Sequence, residues 1–376
     1  DQLFSIIEQL NQGRALIEDE SEKLELAQLN LQAAEKAKQA SAWEAAVRYA
    51  QLGMSLLPET CWQKQYSLSY ALHLIRIECE FLVANHETAQ TLAEKLLLHV
   101  QTPLEKARIC FLFASQLTSI NRNDSIEKGL EGLRYCHIQV PDISQIDDIL
   151  IEQEQEKLKN LLKQNNVRKG TNTSLNQELP TETSLAYRLC AQLAGLCQVA
   201  GTKRLHYYIV FKGMRTVLEN PISEHSIIIY ALYSSTLAKQ GNHIEASRVA
   251  NITISLLEHY PKCADLPYIY MVLGSFVWHF NHPLKEAIEQ QYKAHETGYE
   301  YGDITRGVVA GYSNAIINEF AQGLPLNQIR SHLNNLNNLI QKHNIRVLAG
   351  HTSITTTQIY IDENPTKLSN IMKNFY

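Results

Sequence analysis

The chain alternates blocks of regularly spaced apolar residues with short polar interruptions. Leu24, Ala27, Leu31 and Ala34 step by three, four and three, which keeps them on one helical face. The pattern predicts a first helix over about Leu3–Ile17 and a second opening at Ser21-Glu22-Lys23-Leu24. A third opens at Ala42-Trp43-Glu44-Ala45-Ala46 and closes at Leu56-Leu57-Pro58. Proline stops a helix because it lacks an N–H and its ring clashes with the preceding turn. Ile143 to Leu162 predicts one helix, in which Glu152 and Glu156 share a solvated face while Glu154 points elsewhere. Lys163 to Thr183 is polar, rich in Asn and Thr, with Pro180 near its end, and predicts the main loop and a hinge between two halves. Two helices follow, over about Ser184–Ala200 and Lys203–Leu218, before Asn220-Pro221 breaks the chain.

A local grammar recurs: a helix, a polar turn, then a helix with an acidic residue close to a small one. It falls at Asn85-His86-Glu87-Thr88-Ala89, at Asn123-Asp124-Ser125-Ile126, at Gly241-Asn242-His243-Ile244-Glu245-Ala246 and at His282-Pro283-Leu284-Lys285-Glu286-Ala287. The anchors Ala46, Ala89, Ile126, Ala246 and Ala287 are spaced by 43, 37, 120 and 41, and the long gap holds about three such spacings. Ala46, Ala50 and Gly53, with Ala27 and Ala34 on the preceding helix and Pro58 closing the unit, resemble a tetratricopeptide (TPR) pair, in which small residues line the contact between helices. The period near 40 exceeds the roughly 34 of standard TPRs and implies longer helices or turns. The fold expected is all-α: a TPR-like α-solenoid, a right-handed superhelix of about seven to nine antiparallel helix pairs. Residues 1–162 would form N-terminal repeats, 163–183 the polar loop, 184–340 C-terminal repeats, and 341–376 a helical tail.

Composition agrees. Among 376 residues there are 16 Gly and 10 Pro, about 7% together against a usual ~12%, so helix breakers are scarce. One compact core stops growing at roughly 250–300 residues, a limit that stacked repeats escape. Pro58, Pro103, Pro141, Pro221, Pro261 and Pro283 then serve as punctuation. Lys+Arg 34 against Asp+Glu 39 gives a net charge of −5, without the basic surplus of a nucleic-acid domain, so no nucleic-acid partner is expected. Seven scattered cysteines contain no CxxC pair, which argues against a zinc framework and for reduced thiols in a cytoplasmic protein. No apolar run approaches the ~18–20 residues of a membrane helix. The N-terminus has no basic-then-apolar signal pattern, and its start at Asp1 without methionine reads as a cut from a longer protein.

Three stretches carry a wider resemblance: Thr102-Pro103-Leu104-Glu105-Lys106-Ala107-Arg108, Leu56-Leu57-Pro58 through Trp62-Gln63, and Gly274-Ser275-Phe276-Val277-Trp278-His279-Phe280-Asn281-His282-Pro283-Leu284-Lys285-Glu286-Ala287. They look like the helical repeat region of large bacterial signalling ATPases, which join kinase-like, AAA/STAND ATPase, GAF and histidine-kinase domains; MalT-type activators carry a related superhelix. The resemblance covers about residues 20 to 335 and implies a solenoid that senses or docks, with no catalytic residue or cofactor of its own. The catalytic neighbours are missing: Gly195…Gly201-Thr202-Lys203 has the wrong spacing and order for a phosphate loop, and no HRD or DFG set marks a kinase.

The run Leu348-Ala349-Gly350-His351 through Gln358-Ile359-Tyr360-Ile361-Asp362 resembles the last motif of tyrosine recombinases, where a histidine precedes the nucleophilic tyrosine by nine residues. That resemblance implies DNA strand transfer through Tyr360. A phenolate nucleophile needs cationic groups around the phosphate, which the family takes from arginine boxes on an upstream domain that this chain does not show. The tail is then either a fused remnant of such a gene or a last helix pair that mimics it.

Aromatic residues and histidines thicken in the second half. Tyr207, Tyr208, Tyr230, Tyr233, Tyr270, Trp278 and His279 are the candidate partner-binding residues, since Tyr and Trp dominate binding hot spots. Their expected ligand is a protein or peptide on the concave face, or a small effector; the same residues also suit helix-to-helix packing. His279 and His282 could share a helix face, but no third ligand accompanies them, and Asn281-His282-Pro283 suggests a turn, so no metal site is expected. Cys190 and Cys197, seven apart, read as buried small hydrophobes. A stand-alone scaffold protein is the remaining alternative.

Overall fold

A computed structural model describes residues 2–40, 42–83, 85–116, 122–168 and 180–342. Among these the chain is an all-α solenoid, with neighbouring helices packed in pairs. It divides into two compact units at Val140/Pro141.

The first unit holds α1 (Gln2–Gln12), α2 (Glu20–Gln39), α3 (Trp43–Ser55), the short α4 (Cys61–Lys64), α5 (Tyr66–Leu82), α6 (His86–Leu97), α7 (Pro103–Gln116) and α8 (Arg122–Tyr135). The first predicted helix ends early, at Gln12; Arg14–Leu16 continues as a separate 3-10 turn after Gly13. The α2 helix starts where Asp19 accepts the amide protons of Ser21 and Glu22 at 2.7 and 3.1 Å, a side-chain cap for two otherwise orphaned donors. The α2/α3 contact is as close as the small residues required. Ala27, Ala34, Ala46 and Ala50 are fully buried, and a Cβ on Gly53 would stand 2.7 Å from Leu72 Cδ2 and 3.3 Å from the Ala27 carbonyl oxygen. Asn11 and Asn30, both buried, exchange reciprocal amide bonds of 2.9 Å and tie α1 to α2. At Asn123-Asp124 the helix opens at Arg122, with Asp124 in its first turn.

The second unit opens with a 3-10 turn, Ile143–Gln145, and then α9 (Asp148–Arg168). The helix expected from Ile143 therefore begins later, where Asp147 accepts the Leu150 amide proton at 2.8 Å. Next come α10 (Thr181–Val199), α11 (Lys203–Glu219), α12 (Ile227–Lys239), α13 (His243–His259), α14 (Leu266–Phe276) and α15 (Leu284–Tyr301). A π-helical stretch, Ile304–Ala310, leads into α16 (Gly311–Gln322), followed by α17 (Leu326–Lys342). The polar segment expected over 163–183 begins as the end of α9 and ends as the start of α10, and its centre, with residues 343–376, lies outside the described residues.

Repetition is written in the bonding as well as the packing. All five anchors, Ala46, Ala89, Ile126, Ala246 and Ala287, are buried. Side-chain bonds recur at a nearly constant separation. In the first unit, Arg48 meets Glu8 and Lys38 meets Glu78, each 40 residues apart, and Tyr66 donates to Glu105 across 39. In the second, Lys239 reaches Gln198 across 41, Tyr260 the Ile222 carbonyl across 38, and Tyr301 the Pro261 carbonyl across 40. Equivalent positions of successive units thus sit side by side, as stacking of repeats demands.

Candidate functional site

Within the second unit, α9, α11, α12 and the start of α13 enclose an open cleft of about 660 Å³. From α9 come Gln155, Lys159, Leu162 and Lys163; from the start of α11, Lys203 and Tyr207. The end of α12 supplies Tyr233, Leu237 and Lys239, and the turn into α13 supplies Gln240, Asn242 and Glu245. Helical spacing explains the assembly. Lys159 and Lys163, Lys203 and Tyr207, and Tyr233 and Leu237 are each four apart, so every pair shares a face.

The cleft walls are braced by polar contacts. Gln155 Nε2 donates to Gln240 Oε1 at 3.1 Å, bridging α9 to the end of α12. Arg204 donates twice to Asp148 at 2.9 Å and pins the start of α11 to the start of α9; each group holds the other charged. Deeper down, the Glu154 carboxylate is almost fully buried and takes a charge-assisted bond from Arg215 on α11, with Lys157 at 3.4 Å. Glu152 and Glu156 face solvent.

Electrostatically the cleft is positive. Among the described residues four ammonium groups line it, against the single carboxylate of Glu245. That carboxylate is already engaged by Arg248, which donates at 2.8 and 2.5 Å. Lys203 Nζ sits 5.5 Å from the Tyr207 ring centre, a cation–π placement that orders both side chains. Lys239 Nζ donates to Gln198 Oε1 at 2.7 Å and lies 5.0 Å from the Phe276 ring centre. Lys239 stays accessible at the rim, yet the surrounding protein mass withdraws water from its ammonium and pushes its pKa down to about 8. Behind it, His206 is buried; its Nδ1 lies 2.9 Å from the Ala194 carbonyl oxygen and its Nε2 3.3 Å from Thr236 Oγ1. Burial lowers the His206 pKa to about 4, with Lys239 adding to the effect.

The seven aromatic candidates separate. Tyr207 and Tyr233 come together in the cleft, Tyr207 half-exposed and Tyr233 buried beneath the rim. Burial pushes the Tyr233 hydroxyl up to about 12. Tyr208 is packed inside the unit, and Tyr230 is half-buried on α12. Tyr270 lies under Lys293 Nζ at 5.8 Å from its ring centre. Trp278 is buried and stacks on His282 at 5.0 Å, while His279 is exposed beside Phe280 at 4.2 Å. His282 bonds Glu286 rather than facing His279. Among the described residues, no three His, Cys, Asp or Glu side chains are grouped to hold a metal ion. All seven cysteines are buried and none is in a disulfide, and no helix among the described residues is long and apolar enough to cross a membrane. His351 and Tyr360 lie outside the described residues.

The lysines and amides of the cleft were not among the sequence candidates. Their signal was the four-residue spacing on three separate helices, which becomes a site only once those helices are known to meet.

A cationic cleft floored by tyrosine thus lies within an all-α solenoid. No protein-family model matches the chain. It is similar to hybrid signal transduction histidine kinase G of Dictyostelium discoideum, at 24% identity over 369 residues. The match takes in 91% of this chain and 11% of that protein, so the chain spans about a tenth of its relative. The similarity links the chain, at a distance, to a signalling protein.

Proposed function

We propose that this chain is a non-catalytic, TPR-like recognition solenoid of a signalling protein, and that its cleft receives an acidic segment of a partner protein. The observation that carries the reading is the charge count: among the described residues four lysines line the cleft, and its one carboxylate, Glu245, is held by Arg248. Opposite charge on a partner steers encounter and sets specificity. Half-exposed Tyr207 adds amphipathic contact area at low entropy cost, backed by buried Tyr233. A segment lying across α9, α11 and α12 would favour one arrangement of these helices over another, and that differential affinity would bias any attached output domain. The likeness to a histidine kinase supports the signalling setting.

The test is fluorescence anisotropy with a labelled Glu-rich peptide against the whole chain. Binding should weaken steeply with salt, since exposed charges are screened beyond ~10 Å at 0.1 M. The double variant K159E/K203E should lose binding while keeping its helical circular dichroism. Equal binding by parent and variant would remove the cleft from the account.

A further inference from the structure

We propose that the cleft reads phosphorylation: its preferred occupant is a partner segment carrying phosphoserine, with the phosphoryl group among Lys159, Lys163, Lys203 and Lys239. This rests on the cleft being the docking site described above and adds the chemical class of its ligand.

Three observations favour phosphate over carboxylate. First, every lining cation is a lysine. The arginine fork fits carboxylate and phosphate alike, whereas lysine is a point charge whose attraction follows the anion's net charge, and a phosphate dianion carries more of it than a carboxylate. The arginines nearby, Arg204, Arg215 and Arg248, are all turned to carboxylates of this chain. Second, the positive charge exceeds what a single carboxylate neutralises. A phosphoserine brings about −1.5 to −2 at pH 7 and three acceptor oxygens. Third, α11 begins at the cleft with no side-chain cap on its first-turn amides, of which that of Lys203 is taken by the Gly201 carbonyl at 2.9 Å. Thr202, the residue before it, makes no side-chain bond to them and gives its hydroxyl to the Cys197 carbonyl at 3.3 Å instead. The remaining amides and the helix dipole favour an anion next to Lys203. By contrast, the start of α13 is closed by Asn242, which accepts the Glu245 amide proton.

The groups facing Lys239 are the neutral Gln198 of α10, Phe276 of α14, and His206 of α11, with Lys203, Glu245 and the α9 lysines around the cleft. A bound dianion would hold the Lys239 proton in place.

The experiment compares three labelled peptides of one polar Gly/Ser sequence, carrying serine, glutamate or phosphoserine at one central position. The phosphoserine peptide should bind at least about tenfold tighter than the glutamate peptide, the scale of one extra charge near several ammoniums. Its affinity should rise from pH ~5 to ~7 as the phosphate takes its second charge, and fall above pH 8 as Lys239 loses its proton. The glutamate peptide should show only the fall. Lys239→Arg should keep affinity and abolish the fall; Lys239→Gln, at an accessible position, should weaken binding without unfolding the chain. Equal affinity for the glutamate and phosphoserine peptides would overturn the phosphate assignment and leave the acidic-segment reading intact. Absence of binding by both would remove both readings. Displacement by inorganic phosphate at a concentration equal to the peptide would show that the cleft takes the free ion, and would overturn a segment-borne ligand.

Discussion

The closest backbone approach in the second unit offers a sharp energetic test. Gly298 on α15 lies against the π-helical stretch. A Cβ there would stand 2.6 Å from Val308 N, 2.8 Å from Val308 Cγ2 and 2.9 Å from the Gly307 carbonyl carbon. The complementary position is equally tight, since a Cβ on Gly307 would meet the Gly298 Cα at 2.8 Å and Pro267 Cβ at 2.7 Å. Main-chain atoms cannot rotate away, so Gly298→Ala must push the facing backbone segments apart. Alanine in a helix interior gains about 1 kcal/mol over glycine, while overpacking costs about 1–3 kcal/mol or more. With backbone as the obstacle the upper end applies, and the net loss should be about 2 kcal/mol. Gly213→Ala on α11 is the control, because its Cβ would meet Cys190 Cβ at 3.4 Å and Ile229 Cδ1 at 3.6 Å, both side-chain atoms at ordinary contact. That variant should be unchanged or up to about 1 kcal/mol more stable. Urea unfolding at neutral pH, followed by circular dichroism, reads both. Equal midpoints for the two variants, or a stabilised Gly298→Ala, would refute the close approach.

Arg215→Met should destabilise the second unit by about 3 kcal/mol, the low end for breaking a buried ion pair because Lys157 still reaches the Glu154 carboxylate at 3.4 Å, a loss read from the urea midpoint; Arg215→Lys should recover some of it. His206 sets an acid limit: its folded pKa of about 4 lies below the ordinary histidine value, so the unfolded chain binds the extra proton. Its contribution is whole above pH ~6.5 and falls as pH drops toward 4, by about 3 kcal/mol; in His206→Gln this slope in thermal stability against pH should vanish. Asn30→Leu should cost about 1–3 kcal/mol in chemical denaturation by stranding the Asn11 amide, and the double variant N11L/N30L should recover some of the loss.

The helical class, the repeat length and the small-residue seam were legible because each depends on local spacing. The Ala27/Ala34 and Ala46/Ala50/Gly53 pattern marks a close contact wherever it occurs in a helix pair, and bonds across 38 to 41 residues give the same period as the anchors. Boundaries were less legible: Asp147 competes with Ile143 as a starting point and wins through its side-chain cap. Among the aromatic candidates, sequence could not separate rim from interior. Tyr207 and Tyr208 are adjacent in the chain, but the ~100° step between helix neighbours puts one at the cleft and the other in the packing. The lysines are the clearest miss. An ammonium on a helix reads as a solvated surface charge until tertiary packing brings Lys159, Lys163, Lys203 and Lys239 to one cleft.

Amide hydrogen exchange with and without an acidic peptide at saturating concentration tests the docking claim most directly. Protection should rise at the C-terminal half of α9, the first turns of α11, the last turn of α12 and the α12–α13 turn, and K159E/K203E should erase it. Protection confined to other helices, or a pattern identical in the parent and the variant, would contradict the account.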